Sequence, residues 1–236
     1  MKNQSLLILA GMPFDAAFTL IEKFKEKPFV LFIGRTKPNP LQKSKIDKFI
    51  QFDLSNPPLN FINNLNKLDD SFTSVRFVFY ASHQIGRKKL IDQSVDEIYS
   101  QLNVGLTSCI FLTKAILEKY SKIPGSIVFL GSEAGRFGGK NISIYAALKG
   151  ALSSLVMGLA REIGPEGKRI NLVSPSIINT KTLSKFFNEQ DLLNMQKTIP
   201  LGRIGQVSDL ISLIYWLLSD ESNFISGACI PITGGR

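Results

Sequence analysis

Tyr145 and Lys149 lie four residues apart, so a helix through them carries a phenol and an ammonium on one face. Unperturbed, such groups titrate near ~10 and ~10.4. A nearby cation favours phenolate, and the pair therefore predicts that Lys149 lowers the pKa of Tyr145 toward the range useful for general acid/base work. Ser132 stands thirteen residues before Tyr145, where its hydroxyl can hold a substrate oxygen beside the phenol. Alone, the pair is a weak signal, since a ring packed under a solvated amine uses the same spacing. Its surroundings sharpen it. Ile127-Val128-Phe129-Leu130 reads as a buried strand that breaks at Gly131-Ser132, and a Gly-rich loop (Gly135, Gly138, Gly139) leads into the Tyr–Lys helix.

The elements that must position these residues alternate along the chain. Strands are predicted at Ser5–Ala10, Phe29–Ile33, Phe49–Phe52, Val75–Tyr80, Ser126–Leu130, Arg169–Val173 and Ala228–Ile232. Helices are predicted near Asp15–Lys25, Pro58–Lys67, Val95–Tyr120, Ile144–Gly164 and Gln206–Leu218. The strands are continuously apolar, which suits a parallel sheet covered on both faces. Strict βα alternation predicts one doubly wound α/β domain, with ligands beyond the carboxyl ends of the strands. Ser132 falls at such an end.

Composition agrees with a globular chain of 236 residues, 44% hydrophobic and 20% charged. The net charge of +9 is concentrated partly at Lys23, Lys25, Lys27, Arg35, Lys37, Lys43, Lys45 and Lys48. That surplus suits either a solvated lysine-rich surface or an acidic partner, and no nucleic-acid motif accompanies it. His83 is the only histidine, which excludes a His-rich metal site, and no metal is expected. Cys109 and Cys229 lack metal-ligand or redox spacing and read as small core residues. Leu6–Ala10 reads as a first strand and not as a signal peptide. With no apolar run of 18 residues or more, a membrane span is not expected and the protein reads as cytoplasmic.

From Ser132 through Tyr145-Ala146-Ala147-Leu148-Lys149-Gly150-Ala151-Leu152 the chain resembles the catalytic segment of the short-chain dehydrogenase/reductase family. The likeness covers almost the whole chain, taking in Asn103 within Gln101–Gly105, Pro175 within Arg169–Thr180, and Pro200–Gly205, Trp216–Asp220, Ile225–Gly227 and Gly234-Gly235. It implies a single Rossmann-like domain over 1–236 with a doubly wound parallel sheet of about seven strands. The cofactor side is roughly 1–130, and the catalytic and substrate side roughly 131–236. It further implies a catalytic set of Asn103, Ser132, Tyr145 and Lys149. In that set the tyrosine is the general acid/base, and the lysine holds the cofactor ribose and tunes the phenol. The serine binds the carbonyl oxygen, and the asparagine anchors a relay water through a local helix distortion. Cofactor contacts are implied at Gly11, Arg35, Thr36, Asp53, Leu54, Ala81, Ser82, Ile178 and Thr180, besides Tyr145 and Lys149.

Three places depart from the family pattern. Where the resemblance calls for Gly-x-x-x-Gly-x-Gly, the chain has Gly11-Met12-Pro13-Phe14-Asp15-Ala16-Ala17. Asp15 is a good N-cap by itself. Against a phosphate 4 Å away it is a like charge, costing ~1 kcal/mol in water and ~4 kcal/mol at an effective dielectric of 20. Phe79-Tyr80-Ala81-Ser82 stands for Asn-Asn-Ala-Gly and is followed by His83, while Ser176 replaces the glycine after Pro175. Arg35, in a turn without a carboxylate, implies NADP(H) more than NAD(H), since a guanidinium clasps a 2′-phosphate.

The expected activity is NAD(P)(H)-dependent hydride transfer between a small-molecule carbonyl and its alcohol. The expected assembly is a homodimer or homotetramer through the two long helices. The alternative, motivated by the three departures, is a non-catalytic binding or scaffold protein on the same fold. The segment Lys181–Ile199 is the expected substrate lid, with Phe186, Phe187, Leu192, Leu193 and Met195 as liners; its period is equally that of an ordinary amphipathic helix.

Overall fold

The structure, a computed structural model, describes residues 4–56, 59–68, 71–80, 87–180, 183 and 187–236. Seven parallel strands form the main sheet: β1 (Leu6–Ala10), β2 (Phe29–Gly34), β3 (Lys48–Gln51), β4 (Val75–Phe79), β5 (Gly125–Leu130), β6 (Lys168–Pro175) and β9 (Cys229–Ile232). Their spatial order is β3-β2-β1-β4-β5-β6-β9. The order reverses between β1 and β4, where Tyr80 N donates to Ala10 O at 2.9 Å. That is the switch point at which a doubly wound sheet opens a crevice. A second, two-stranded sheet pairs β7 (Ile178–Asn179) with β8 (Gly205–Gln206).

Alternation along each strand explains the two layers of core. Leu6, Ile8 and Ala10 point to one face, where they join Phe77, Phe129, Leu112, Ile116, Leu152 and Val156. Leu7 and Leu9 point to the other and join Ala16, Ala17, Leu20, Leu210, Ile214 and Leu217. Each fully buried Leu, Ile or Phe contributes about 1.5–3 kcal/mol of transfer free energy. On the first face lie α3 (Leu59–Asn66), α5 (Ser108–Lys119) and α7 (Ser143–Ile163); on the second, α1 (Phe14–Ile21) and α9 (Val207–Leu218). Short helices α2 (Pro40–Lys43) and α6 (Ala134–Phe137), with α4 (Val95–Leu102) and α8 (Glu189–Lys197), complete the chain.

Several expectations need correction. The helix expected over Val95–Tyr120 ends at Lys119 and carries a π-turn at Asn103–Thr107 between α4 and α5, the local distortion that the resemblance implies at Asn103. Asp15 is not the N-cap of α1; Pro13 holds that place, and Asp15 sits in the first turn. The helix also ends at Ile21, four residues short of the expected Lys25, as the chain turns into the basic stretch. Cys109 is buried as expected, but Cys229 is exposed, because on edge strand β9 alternate residues face outward. Finally, Ser143–Glu166 has a mean hydropathy of 1.4 over its apolar window and is long enough to cross a membrane by length and composition. Lys149, Leu152, Val156 and Ile163 on this helix are buried within the domain.

Candidate active site

Ser132, Tyr145 and Lys149 are brought together by the end of β5 and the first turns of α7. Beyond β5, Gly131 N donates to Val173 O at 2.8 Å, which holds the strand end against β6. The chain then turns through α6, whose Gly135 crosses α7 at Lys149-Gly150. A Cβ on Gly135 would lie 2.7 Å from the Lys149 carbonyl carbon and 2.8 Å from Gly150 N, so only glycine permits this approach. The crossing presses α7 against the strand end, and Lys149 Nζ donates to Leu130 O at 2.6 Å. Ser132 Oγ accepts from Ala134 N at 3.2 Å and stands close enough to the Tyr145 phenol to pull its pKa down.

The electrostatics differ from the expectation. Burial pushes the Tyr145 phenol above its ordinary value, and the Ser132 hydroxyl beside it only partly opposes this. Lys149 does not bring it down. Its ammonium is committed to a backbone carbonyl and stands 5.7 Å from the centroid of the Tyr145 ring, over the face and not at the oxygen. Desolvation instead acts on Lys149 itself, whose pKa falls to about 8, with the nearby Cys109 opposing the fall. A buried ammonium held by one carbonyl has lost most of its hydration, which is the cause of the drop.

Tyr80, directly after β4, departs from the family pattern and belongs to the site. It is buried, and its pKa rises to about 12, first through desolvation and then through its proximity to Tyr145. Two phenols therefore stand near each other where the family pattern has an asparagine. Position in the chain was the available signal, since Tyr80 ends a strand at the switch point. Asn103 opens the π-turn, its carbonyl accepting from Ser108 N. With Leu54, Ser55 and Phe111 it lines a cavity of about 280 Å³. Among the described residues no direct hydrogen bond joins Asn103 to Ser132, Tyr145 or Lys149.

On the nucleotide side, Gly11 adopts φ 69°, a left-handed turn that lets the chain leave β1 for α1. Pro13 offers no side-chain cap, and the first turn of α1 is anchored by Phe14 stacking on Phe32 at 4.7 Å. Asp15 is exposed there. Arg35 and Thr36 follow β2 on the surface, and Gln51 Nε2 donates to Arg35 O at 3.1 Å. Burial would raise the Asp53 pKa, but hydrogen bonds from the Ser55 amide (2.9 Å) and hydroxyl (2.8 Å), with the charge of Arg35, hold it below its usual value. Arg35, Asp53 and Leu54 thus share one corner of the sheet. Ile178 lies in β7, and Thr180 O accepts from Leu183 N at 2.9 Å. Ala81, Ser82 and His83 lie outside the described residues, as does Phe186.

Of the expected lid liners, Phe187 and Met195 border a cleft of about 520 Å³ together with Arg87 and Arg236, while Leu193 is exposed. Arg236 Nη1 lies 3.3 Å from Glu133 Oε1, tying this cleft to the residue after Ser132. Neither arginine was singled out from sequence, because an isolated arginine in a polar stretch carries no pattern.

The family model described as Enoyl-(Acyl carrier protein) reductase matches residues 42–236. The short-chain dehydrogenase/reductase aba4 of Botryotinia fuckeliana is 35% identical over 180 residues, 74% of this chain and 68% of that protein. The 3-oxoacyl-[acyl-carrier-protein] reductase FabG of Pseudomonas aeruginosa is 33% identical over 147 residues, 62% of this chain, and the match spans 59% of that protein's length. A solved 4-hydroxyisoleucine dehydrogenase complexed with NADH superposes with a TM-score of 0.85 at 26% identity, covering 99% of this chain and 98% of that one. With the sheet order, the Ser–Tyr–Lys geometry and these likenesses together, the chain belongs to the short-chain dehydrogenase/reductase family of NAD(P)(H)-dependent oxidoreductases.

Proposed function

We propose that the chain interconverts a small-molecule carbonyl and its alcohol, with NADP(H) preferred over NAD(H). The observation that carries this reading is the Ser132 hydroxyl beside the Tyr145 phenol, with the buried, carbonyl-bound Lys149 over the face of the ring. A phenol held above its ordinary pKa stays protonated through neutral pH, so Tyr145 is ready to give a proton to a carbonyl oxygen. Ser132 Oγ, already beside that phenol, orients the same oxygen. Lys149 places a positive charge under the ring and near the ribose position. Asn103, at the π-turn, anchors the path by which a proton returns to Tyr145.

The residues on the nucleotide side fit a dinucleotide. The uncapped start of α1 presents backbone amides where a pyrophosphate would lie, and Gly11 gives the turn that exposes them. Arg35 would meet a 2′-phosphate, and Asp53 with Leu54 the adenine. Thr36, Ile178 and Thr180 complete the expected contacts, as would Ala81 and Ser82. The cofactor supplies the hydride. Asp15 weakens the phosphate end without removing its amide donors.

Exposed apolar residues on α4, α5 and α7 (Val95, Tyr99, Ile110, Phe111 and Met157) support a homodimer or homotetramer through those helices. Titration with NADPH and NADH, followed by nicotinamide fluorescence and melting temperature, tests the reading. Micromolar NADPH binding with weaker NADH is expected, and a folded protein that binds neither up to millimolar levels would sink it.

A further inference from the structure

Arg87 lies exposed on the rim of the cleft shared with Phe187, Met195, Asp191 and Arg236. Its guanidinium stands 4.8 Å over the centroid of the Phe187 ring, and no carboxylate among the described residues forms an ion pair with it. The two carboxylates nearby are already engaged. Asp191 Oδ2 accepts from Asn188 N at 3.2 Å within the capping box of α8. Glu133 is paired with Arg236. Stacking on a ring fixes the plane of a guanidinium and leaves its edge donors turned outward, in the fork that suits a carboxylate or phosphate. Glu133 directly follows Ser132, so the Arg236 ion pair links the cleft to the end of β5 where the candidate catalytic residues stand.

We propose that this cleft receives an anionic tail, a carboxylate or phosphate, on the carbonyl or alcohol substrate, with Arg87 as the residue that selects it. Phe187 and Met195 flank the apolar stem that joins the tail to the reacting carbon. The assignment rests on the reading that Ser132 and Tyr145 act on that carbon. One charge-assisted contact of this kind is worth about tenfold to a hundredfold in affinity.

Calorimetric titration of the full chain with hexanoate, hexyl phosphate and neutral hexanamide tests it in wild type, Arg87→Gln and Arg203→Gln. Arg203 serves as the control because its guanidinium is already paired with Asp209 and does not line the cleft. Expected is binding of at least one anion about tenfold or more tighter than hexanamide. Arg87→Gln should remove that preference and Arg203→Gln should leave it intact. The tighter anion tells carboxylate from phosphate. Equal binding of anions and hexanamide, no binding of any of the three, or an anion preference that survives Arg87→Gln would overturn the proposal. The melting temperature of each variant separates lost binding from lost fold. A protein that binds an anion through Arg87 but no NADPH would support the anion site while sinking the oxidoreductase reading itself.

Discussion

Lys149 and Asp15 are both charged residues at the carboxyl end of the sheet, and they stand in opposite surroundings. Lys149 is 2% exposed, its ammonium fixed on Leu130 O by a helix that Gly135 allows to approach to backbone contact. Asp15 is exposed in the first turn of a helix whose cap is a proline without a side-chain donor or acceptor. The difference is one of constraint. A change near Lys149 must move a helix against a strand, whereas a change at Asp15 alters the charge of an exposed residue in the first turn of a helix. The catalytic side is therefore built to hold one geometry, while the first turn of the nucleotide side stands open to solvent.

The largest test of that contrast removes the phenol. Tyr145→Phe should lower kcat by about 10²–10⁴, the range that general acid catalysis supplies, while leaving NADPH affinity and melting temperature near wild type. Retained turnover would remove Tyr145 from the role. Lys149→Met probes the buried charge through pH. The folded pKa is about 8 against an ordinary 10.5, so below about pH 8 both states carry the proton and the burial penalty is fully present. Between 8 and 10.5 the unfolded chain holds the proton that the folded one has lost, and stability rises with pH. Urea midpoints should thus show wild type gaining on Lys149→Met across that window. A flat difference would mean that the ammonium is not destabilised by burial.

How much of this was readable beforehand depends on what kind of signal each part leaves. The strands and the core on both faces of a parallel sheet were legible, because continuous apolar runs alternating with helices admit few arrangements. The Ser132–Tyr145–Lys149 spacing was legible for the same reason: strand end, tight loop and helix start fix it locally. The sense of the Tyr145 pKa shift was not. It depends on where Nζ points, and the nearest acceptor is a carbonyl of a strand nineteen residues earlier in the chain. Nor could Tyr80, Glu133, Arg87 or Arg236 be placed, since their meaning lies in neighbours distant in sequence. The distortion at Asn103 was legible only through the family resemblance, because a single inserted residue leaves the apolar periodicity of Val95–Tyr120 almost unchanged.

Gly135→Ala should break the constrained side next. Its Cβ would meet backbone atoms of Lys149 and Gly150 and not the movable end of a side chain. Overpacking of this sort costs about 1–3 kcal/mol. A lower denaturation midpoint is expected together with reduced kcat, because the same displacement shifts Tyr145 and Lys149. A stability loss with kcat untouched would show that α7 yields elsewhere.

Asp15→Gly should give the smallest effect and the clearest sign. In water a unit charge 4 Å from a phosphate costs ~1 kcal/mol, so removing it should tighten NADPH by about tenfold or somewhat less. Glycine also has a helix propensity about 0.3 kcal/mol below that of aspartate, which sets a small loss of stability against the gain in binding. Asp15→Asn separates the two, since it keeps the side-chain shape and discards the charge. If both variants bind NADPH more tightly, and the gain shrinks as salt is raised, the carboxylate is the weak point of the nucleotide side. If Asp15→Asn binds as wild type does, the pyrophosphate lies beyond the reach of that charge, and the turn from Gly11 through Pro13 has rerouted it.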